Sequence, residues 1–140
     1  MKHVALALLA ACAVGSAHAA CPPDGQTRDS LLALRNAKWV VNDAAKREAL
    51  AIGLVDCLAD PNPALRDDVG FDALQHWMRN GQLSPATVKR IGDHLPRRVM
   101  PATAAADGRG IAAPFAALTL AEVARVDRLT PLYSPAERDN

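Results

Sequence analysis

Asp68, Asp72 and His76 recur every four residues, the spacing at which a sequence could do chemistry. On a helix this puts two carboxylates and an imidazole on one face, a donor set that a metal ion could use. A solvated stripe opposite Leu65, Val69 and Ala73 has the same spacing, with Asp72 and His76 as an ordinary surface pair, and that is the expectation. Cys21, Cys57, His76 and His94 carry zinc-ligand atoms but show no paired spacing, so no zinc site is expected. Asp93 and His94 are neighbours and point to different sides of a helix. The chain has no Gly-x-Ser-x-Gly, and Ser30, Ser84 and Ser134 read as helix starts rather than nucleophiles. Asp107-Gly108-Arg109-Gly110 has too few glycines and no following Lys-Ser/Thr for a phosphate loop, and reads as a turn. Asn80-Gly81 ahead of Lys89 and Arg90 has the outline of a helix-turn-helix, which the charge balance below disfavours. Arg97-Arg98 complements a helix C-terminus and needs no ligand. No catalytic residue, cofactor or metal site is therefore assigned.

The elements around these residues begin with a leader. Lys2 is a short positive region, residues 4–14 are apolar without a charge, and Ala17-His18-Ala19 places small residues before a cut. That is the layout of a secretory signal peptide over residues 1–19. The apolar run is too short for a membrane span, which needs about 20 residues. Two alternatives remain: an uncleaved anchor, and a lipoprotein whose attachment box would be Leu9-Ala10-Ala11-Cys12. Cleavage removes Lys2 and leaves equal numbers of positive and negative side chains, so nothing pulls the chain as a whole onto nucleic acid or an anionic membrane. It also leaves two cysteines, Cys21 and Cys57, and an even count in an oxidising compartment points to a disulfide. The alternative is a free Cys21 and a buried Cys57. The expected location is periplasmic or secreted.

Half of the 140 residues are hydrophobic, which excludes a disordered chain, and only 4% are aromatic. Alanine and leucine dominate, so an all-α domain over residues 20–140 is expected. Helices are expected over 27–39, from Asn42 or Asp43 to Asp60, from Pro63 to Asn80-Gly81, from Pro85 to a stop at Pro101, and from Pro114 to Leu129. Residues 101–113 read as a loop. Asn62-Pro63, Ser84-Pro85 and Ser134-Pro135 each pair a cap with a first-turn proline. Lys38 is expected beside Leu31 and Leu34, and Gly53 on the wetter side of its helix with Lys46, Asp56 and Asp60. The expected core holds Leu54, Leu65, Val69, Trp77, Ile91, Leu95, Phe115, Leu118 and Leu120. In the helix from Pro114, only Thr119, Glu122 and Arg125 form a narrow polar strip, and a helix so apolar should be covered on several sides.

Residues 58–74, with Asp60-Pro61 and Leu65-Arg66 followed by small Gly70 and Ala73, resemble one HEAT-type repeat unit. A proline turn reverses the chain, and small residues admit the partner helix at a period of roughly 40 residues. Three segments over the mature chain are similar to the bacterial family called domain of unknown function 2785: 57–67, Trp77-Met78-Arg79-Asn80-Gly81-Gln82-Leu83-Ser84, and 114–128. The resemblance implies antiparallel helix pairs of HEAT-like α-solenoid type and assigns no activity. Members of that family continue past a Ser-Pro-Ala-Glu-Arg segment, so the domain is expected to be incomplete at its C-terminus. The functional expectation is a protein-interaction or scaffold module in the cell envelope, meeting a protein partner or a second copy through the helix of Phe115, Leu118 and Leu120. The alternative is an envelope enzyme whose catalytic residues lie in a missing segment.

Overall fold

The computed structural model describes residues 21–96 and 110–138. Every regular element among them is helical and no strand occurs. The expected leader, including Cys12, lies outside the described residues, as do Arg97-Arg98, Val99, the stop at Pro101, and Asp107-Gly108-Arg109.

The helices start where the side chains dictate. α1 (Arg28–Asn36) opens on a capping box in which Thr27 Oγ1 accepts from the Ser30 amide and Ser30 Oγ from the Thr27 amide. Asp43 accepts from the Lys46 amide at 3.1 Å and starts α2 (Ala44–Leu54), which runs into a 3₁₀ segment, Val55–Ala59. Asn62 caps α3 (Pro63–Leu65), followed by a π-helical stretch, Arg66–Phe71, and α4 (Asp72–Arg79). Ser84 caps α5 (Pro85–His94), and Glu48 of α2 accepts from the Ser84 amide at 3.0 Å, fixing α5 to α2. α6 (Ala112–Leu129) begins two residues before Pro114, which the first turn of a helix tolerates. A last single turn, α7 (Pro135–Arg138), follows Ser134.

Two helix ends show one closure with different residues. At the end of α4 the Gln82 amide donates to the Trp77 carbonyl and the Gly81 amide to that of Met78, with Gly81 left-handed (φ 63°). This is the Schellman motif that Asn80-Gly81 foreshadows. At the end of α1 the Trp39 amide donates to Leu34 and the Lys38 amide to Arg35. Here the left-handed residues are Lys38 (φ 57°) and Trp39 (φ 59°). α1 therefore stops at Asn36, three residues earlier than the periodicity suggests, and Lys38 is exposed instead of joining buried Leu31.

α2, the 3₁₀ segment, the π stretch and α4 form the centre, with α1 against the π stretch. α6 packs on α4, α5, the 3₁₀ segment and the π stretch. Leu31, Leu54, Leu58, Val69, Leu74, Trp77, Ile91 and Leu95 are fully buried. Trp39 and Trp77 meet edge to face at 5.9 Å, and Trp77 Nε1 donates to the Trp39 carbonyl. Cys21 and Cys57 are joined by a disulfide, and their Cα atoms are 5.0 Å apart. Closing a loop of that size stabilises a fold by about 3–4 kcal/mol. The bridge lays Pro23 over Gly53, where a Cβ would collide with the proline ring, so Gly53 is a contact point and not part of a wet stripe.

Of the nine residues expected in the core, six are buried: Leu54, Leu65, Val69, Trp77, Ile91 and Leu95. Phe115 and Leu120 are only partly buried against it, and Leu118 is 48% exposed. The reason lies in the orientation of α6.

Candidate functional site

α6 sits the other way round from its polar pattern. Its buried positions are Ala112, Ala116, Thr119, Glu122 and Val123, so two of the three residues of the narrow polar strip face inward. Thr119 satisfies its hydroxyl by donating to the Phe115 carbonyl at 2.8 Å. The Glu122 carboxylate, with its side chain 8% exposed, accepts from Arg79 Nε at 3.0 Å, from Arg79 Nη2, from Arg125 Nε at 3.2 Å and from Gln75 Nε2 at 3.1 Å. A buried carboxylate is tolerable only when charged donors surround it. The Arg79 hydrogen bonds hold Glu122 below its ordinary pKa against the upward push of burial, helped by Arg125 and Gln75. Glu122 in turn raises Arg79. The cluster ties α6 to α4.

The outward face of α6 then carries Pro114, Ala117, Leu118, Ala121 and Ala124, all exposed, with Arg128 at its end and Leu129 73% exposed just beyond. Arg128 has no ion-pair partner among the described residues. Phe115 turns from this face towards the core, edge to face with Phe71 at 6.2 Å and under the Arg66 guanidinium at 4.9 Å.

One flank of α6 borders an open groove of about 440 Å³ against α5, with Gly92, Leu120, Val123 and Ala124 among its lining residues. Residues 130–138 return along it, and Tyr133, Glu137 and Arg138 line its other side. Asp127 directs the return: one oxygen accepts from the amides of Leu132 and Tyr133 at 2.6 and 3.1 Å, and Arg138 Nε donates to the other at 2.7 Å. Those donors, Arg138 first, keep the Asp127 carboxyl far below the usual carboxylate range. The Tyr133 hydroxyl donates to the Lys89 carbonyl at 3.3 Å and lies where a Cβ on Gly92 would be. Lys89 Nζ stands 4.5 Å from the centre of the Tyr133 ring and 3.1 Å from a Glu137 carboxylate oxygen. Glu137 also accepts from the Ser134 amide at 2.8 Å, the first of the contacts that lower it to about 2. Ser134 and Glu137 thus form a capping box that introduces a helical turn.

The structure uses the metal candidates for other purposes. Arg35 reaches Asp68 at 3.0 Å and Asp72 at 3.6 Å, and Asp72 also accepts from Trp39 Nε1 at 2.9 Å. The carboxylates thereby hold the left-handed corner after α1. Cys21 and Cys57 are bonded to each other and offer no thiolate to zinc. Among the described residues no group of three His, Cys, Asp or Glu side chains could hold a metal ion. Asp93 pairs with Lys89 at 3.4 Å, which leaves no Asp93–His94 unit.

Sequence reasoning missed three features: the Glu122 cluster, the Lys38–Trp39 corner and the Asp127 latch. Glu122 and Arg125 are three apart, a signal for an ion pair but not for its burial. The only tyrosine and a glycine inside α5 were the available hints for the Tyr133–Gly92 contact. No helix among the described residues is long and apolar enough to cross a membrane. Protein-family models, curated proteins and solved structures were compared with the chain, and none matches it.

Proposed function

We propose that this chain is an exported helical-repeat module of HEAT-like type, working in the periplasm or outside the cell as a protein-interaction or scaffold element. Its docking surface is the outward face of α6. The observation that carries this reading is the orientation of that helix: Glu122 and Thr119 point inward, while Leu118 is 48% exposed among Ala117, Ala121 and Ala124. An exposed apolar strip on a folded surface marks an interface or an aggregation hazard. Stacked helix pairs supply extended surfaces of this kind. The resemblance of residues 57–67, 77–84 and 114–128 to domain of unknown function 2785 implies the same architecture, and the Cys21–Cys57 bridge suits an oxidising compartment.

The test uses the chain from residue 20 onward with its disulfide intact, and combines sedimentation velocity over a concentration series with binding of a hydrophobic dye. Self-association or dye binding that Leu118→Glu abolishes, without a lower melting temperature, supports the α6 surface. A stable monomer that binds no dye, and that Leu118→Glu leaves unchanged, refutes it. N-terminal sequencing of expressed protein checks export: the mature chain starts at Ala20 or Cys21, and recovery from the cytosol with Met1 intact overturns that part.

A further inference from the structure

The groove between α5 and α6 continues the outward face of α6, because Ala124 belongs to both. One wall of the groove is a later part of the chain itself, with Tyr133, Glu137 and Arg138 among the lining residues. Residues 130–138 run along it with no buried residue of their own: Leu132 and Tyr133 are half-buried and the rest exposed. Their attachment combines two partly buried side chains, Leu132 and Tyr133, that pack on the core with a set of polar contacts. Asp127 holds the amides of Leu132 and Tyr133 and the Arg138 guanidinium, Lys89 holds Glu137, and Tyr133 is the single aromatic anchor. The floor beneath is different, with Val123 3% exposed and Leu120 packed on the core. A segment with few apolar contacts and exposed ionic ones belongs to the least stable part of a fold and opens before the rest.

We propose that residues 130–138 are a releasable strap, latched by Asp127 and Lys89. Its opening widens the α6 docking face from Leu118 and Ala121 round to Leu120 and Val123. The strap is thus an intramolecular occupant of part of the surface on which the proposed function rests, and it regulates how much of that surface a partner meets. Lys89, Glu137 and Arg138 of the latch are solvent-accessible while Asp127 is 13% exposed, so ionic strength acts on the latch through its outer partners: the screening length falls from about 10 Å at 0.1 M salt to about 3 Å at 1 M. The ion cluster that ties α4 to α6 centres on a Glu122 side chain only 8% exposed, so salt screens it less.

Hydrogen–deuterium exchange followed by mass spectrometry, on the disulfide-intact chain at about 0.1 M and about 1 M sodium chloride, reads the strap directly. Peptides covering 130–138 are expected to exchange about fivefold faster at the higher salt, while those of α4 and α5 stay within about twofold. Asp127→Asn is expected to speed strap exchange about tenfold at the lower salt and to remove most of the salt response. Arg138→Ala, which leaves α6 intact, should act in the same direction. Strap exchange that tracks α5 at both salts, or that neither variant moves, overturns the proposal. The docking reading fails separately. If the strap opens as expected but Asp127→Asn neither binds more dye nor associates more than wild type, the latch stands and the widened docking face does not. If Leu118→Glu abolishes association while strap exchange is insensitive to salt and to both variants, the α6 surface stands and the strap does not.

Discussion

Replacing Trp77 tests the centre of the fold. The side chain is fully buried, meets Trp39 edge to face, and donates the hydrogen bond that satisfies the Trp39 carbonyl. Emptying an aromatic core site costs about 3–5 kcal/mol. The loss of the ring pair, worth about 0.5–1.5 kcal/mol, and the unpaired carbonyl, at about 1–3 kcal/mol, place Trp77→Ala at the upper end of that range or above it. Domains of this kind have only about 5–15 kcal/mol in total, so the variant should be close to unfolding. Trp77→Phe keeps most of the volume and loses the donor, and is expected to cost about 1–3 kcal/mol. Urea titration followed by circular dichroism is the assay, because Trp fluorescence changes with the substitution. With a slope of about 2 kcal/mol per molar, a 4 kcal/mol loss moves the midpoint by about 2 M. A loss below about 1 kcal/mol for Trp77→Ala would refute the burial argument. Equal losses for Ala and Phe would place the whole effect in the hydrogen bond.

Two further perturbations test local arguments. Lys38 occupies the position after α1 where Gly81 stands after α4, and a left-handed backbone disfavours a residue with a Cβ by about 1–2 kcal/mol. Lys38→Gly should therefore leave the melting temperature unchanged or raise it by a few degrees, glycine's greater freedom when unfolded offsetting part of the gain; a clear fall would show that the Lys38 side chain is itself required. Glu122 has a folded-state pKa below the ordinary 4.5, so its contribution is complete above that value and is lost as the pH falls through the folded one. Glu122→Gln should cost about 1–3 kcal/mol at neutral pH and much less in acid, so the wild-type and variant melting curves converge as the pH falls through the lowered folded-state pKa; a constant gap would assign the effect to packing.

Much of this fold can be read from local rules. The starts at Thr27, Asp43, Asn62, Ser84 and Ser134 depend on a short polar side chain reaching an amide two or three residues ahead, and each one forms that bond. Gly81 ends α4 because only the αL region is needed there. The stripes through Leu65, Val69, Ala73 and Trp77 and through Val88, Ile91 and Leu95 point inward because each has a clearly apolar side. What was not legible depends on partners distant in sequence. Nothing near Lys38 announces a left-handed residue; the corner is held by Arg35, Asp68, Asp72 and Trp77, the last three from the π stretch and α4. The four-residue spacing of Asp68, Asp72 and His76 is legible, but their expected surface pair is not what the structure shows: Asp68 and Asp72 meet Arg35 of α1, and Asp72 also meets Trp39.

α6 shows why a hydrophobic pattern loses its direction when apolar residues occupy most of a helix. Such a pattern fixes orientation by contrast, and here the contrast is weak: the residues on the outward face are mostly alanines, whose burial yields little, since the driving force scales with apolar area. Turning Ala117, Ala121 and Ala124 to solvent costs little, and the large side chains left outside are Leu118 and, at the helix end, Leu129. Turning the polar strip inward would cost far more if it were unpartnered. The arrangement holds because α4 presents Arg79 and Gln75 four residues apart and Arg125 follows Glu122 by three, so three charged or amide groups meet at one carboxylate. All three are recognisable as polar, but only the packing of α4 on α6 brings them together. The same choice leaves the apolar strip available, so the ion cluster that fixes α6 to the core is also what presents the face proposed for docking.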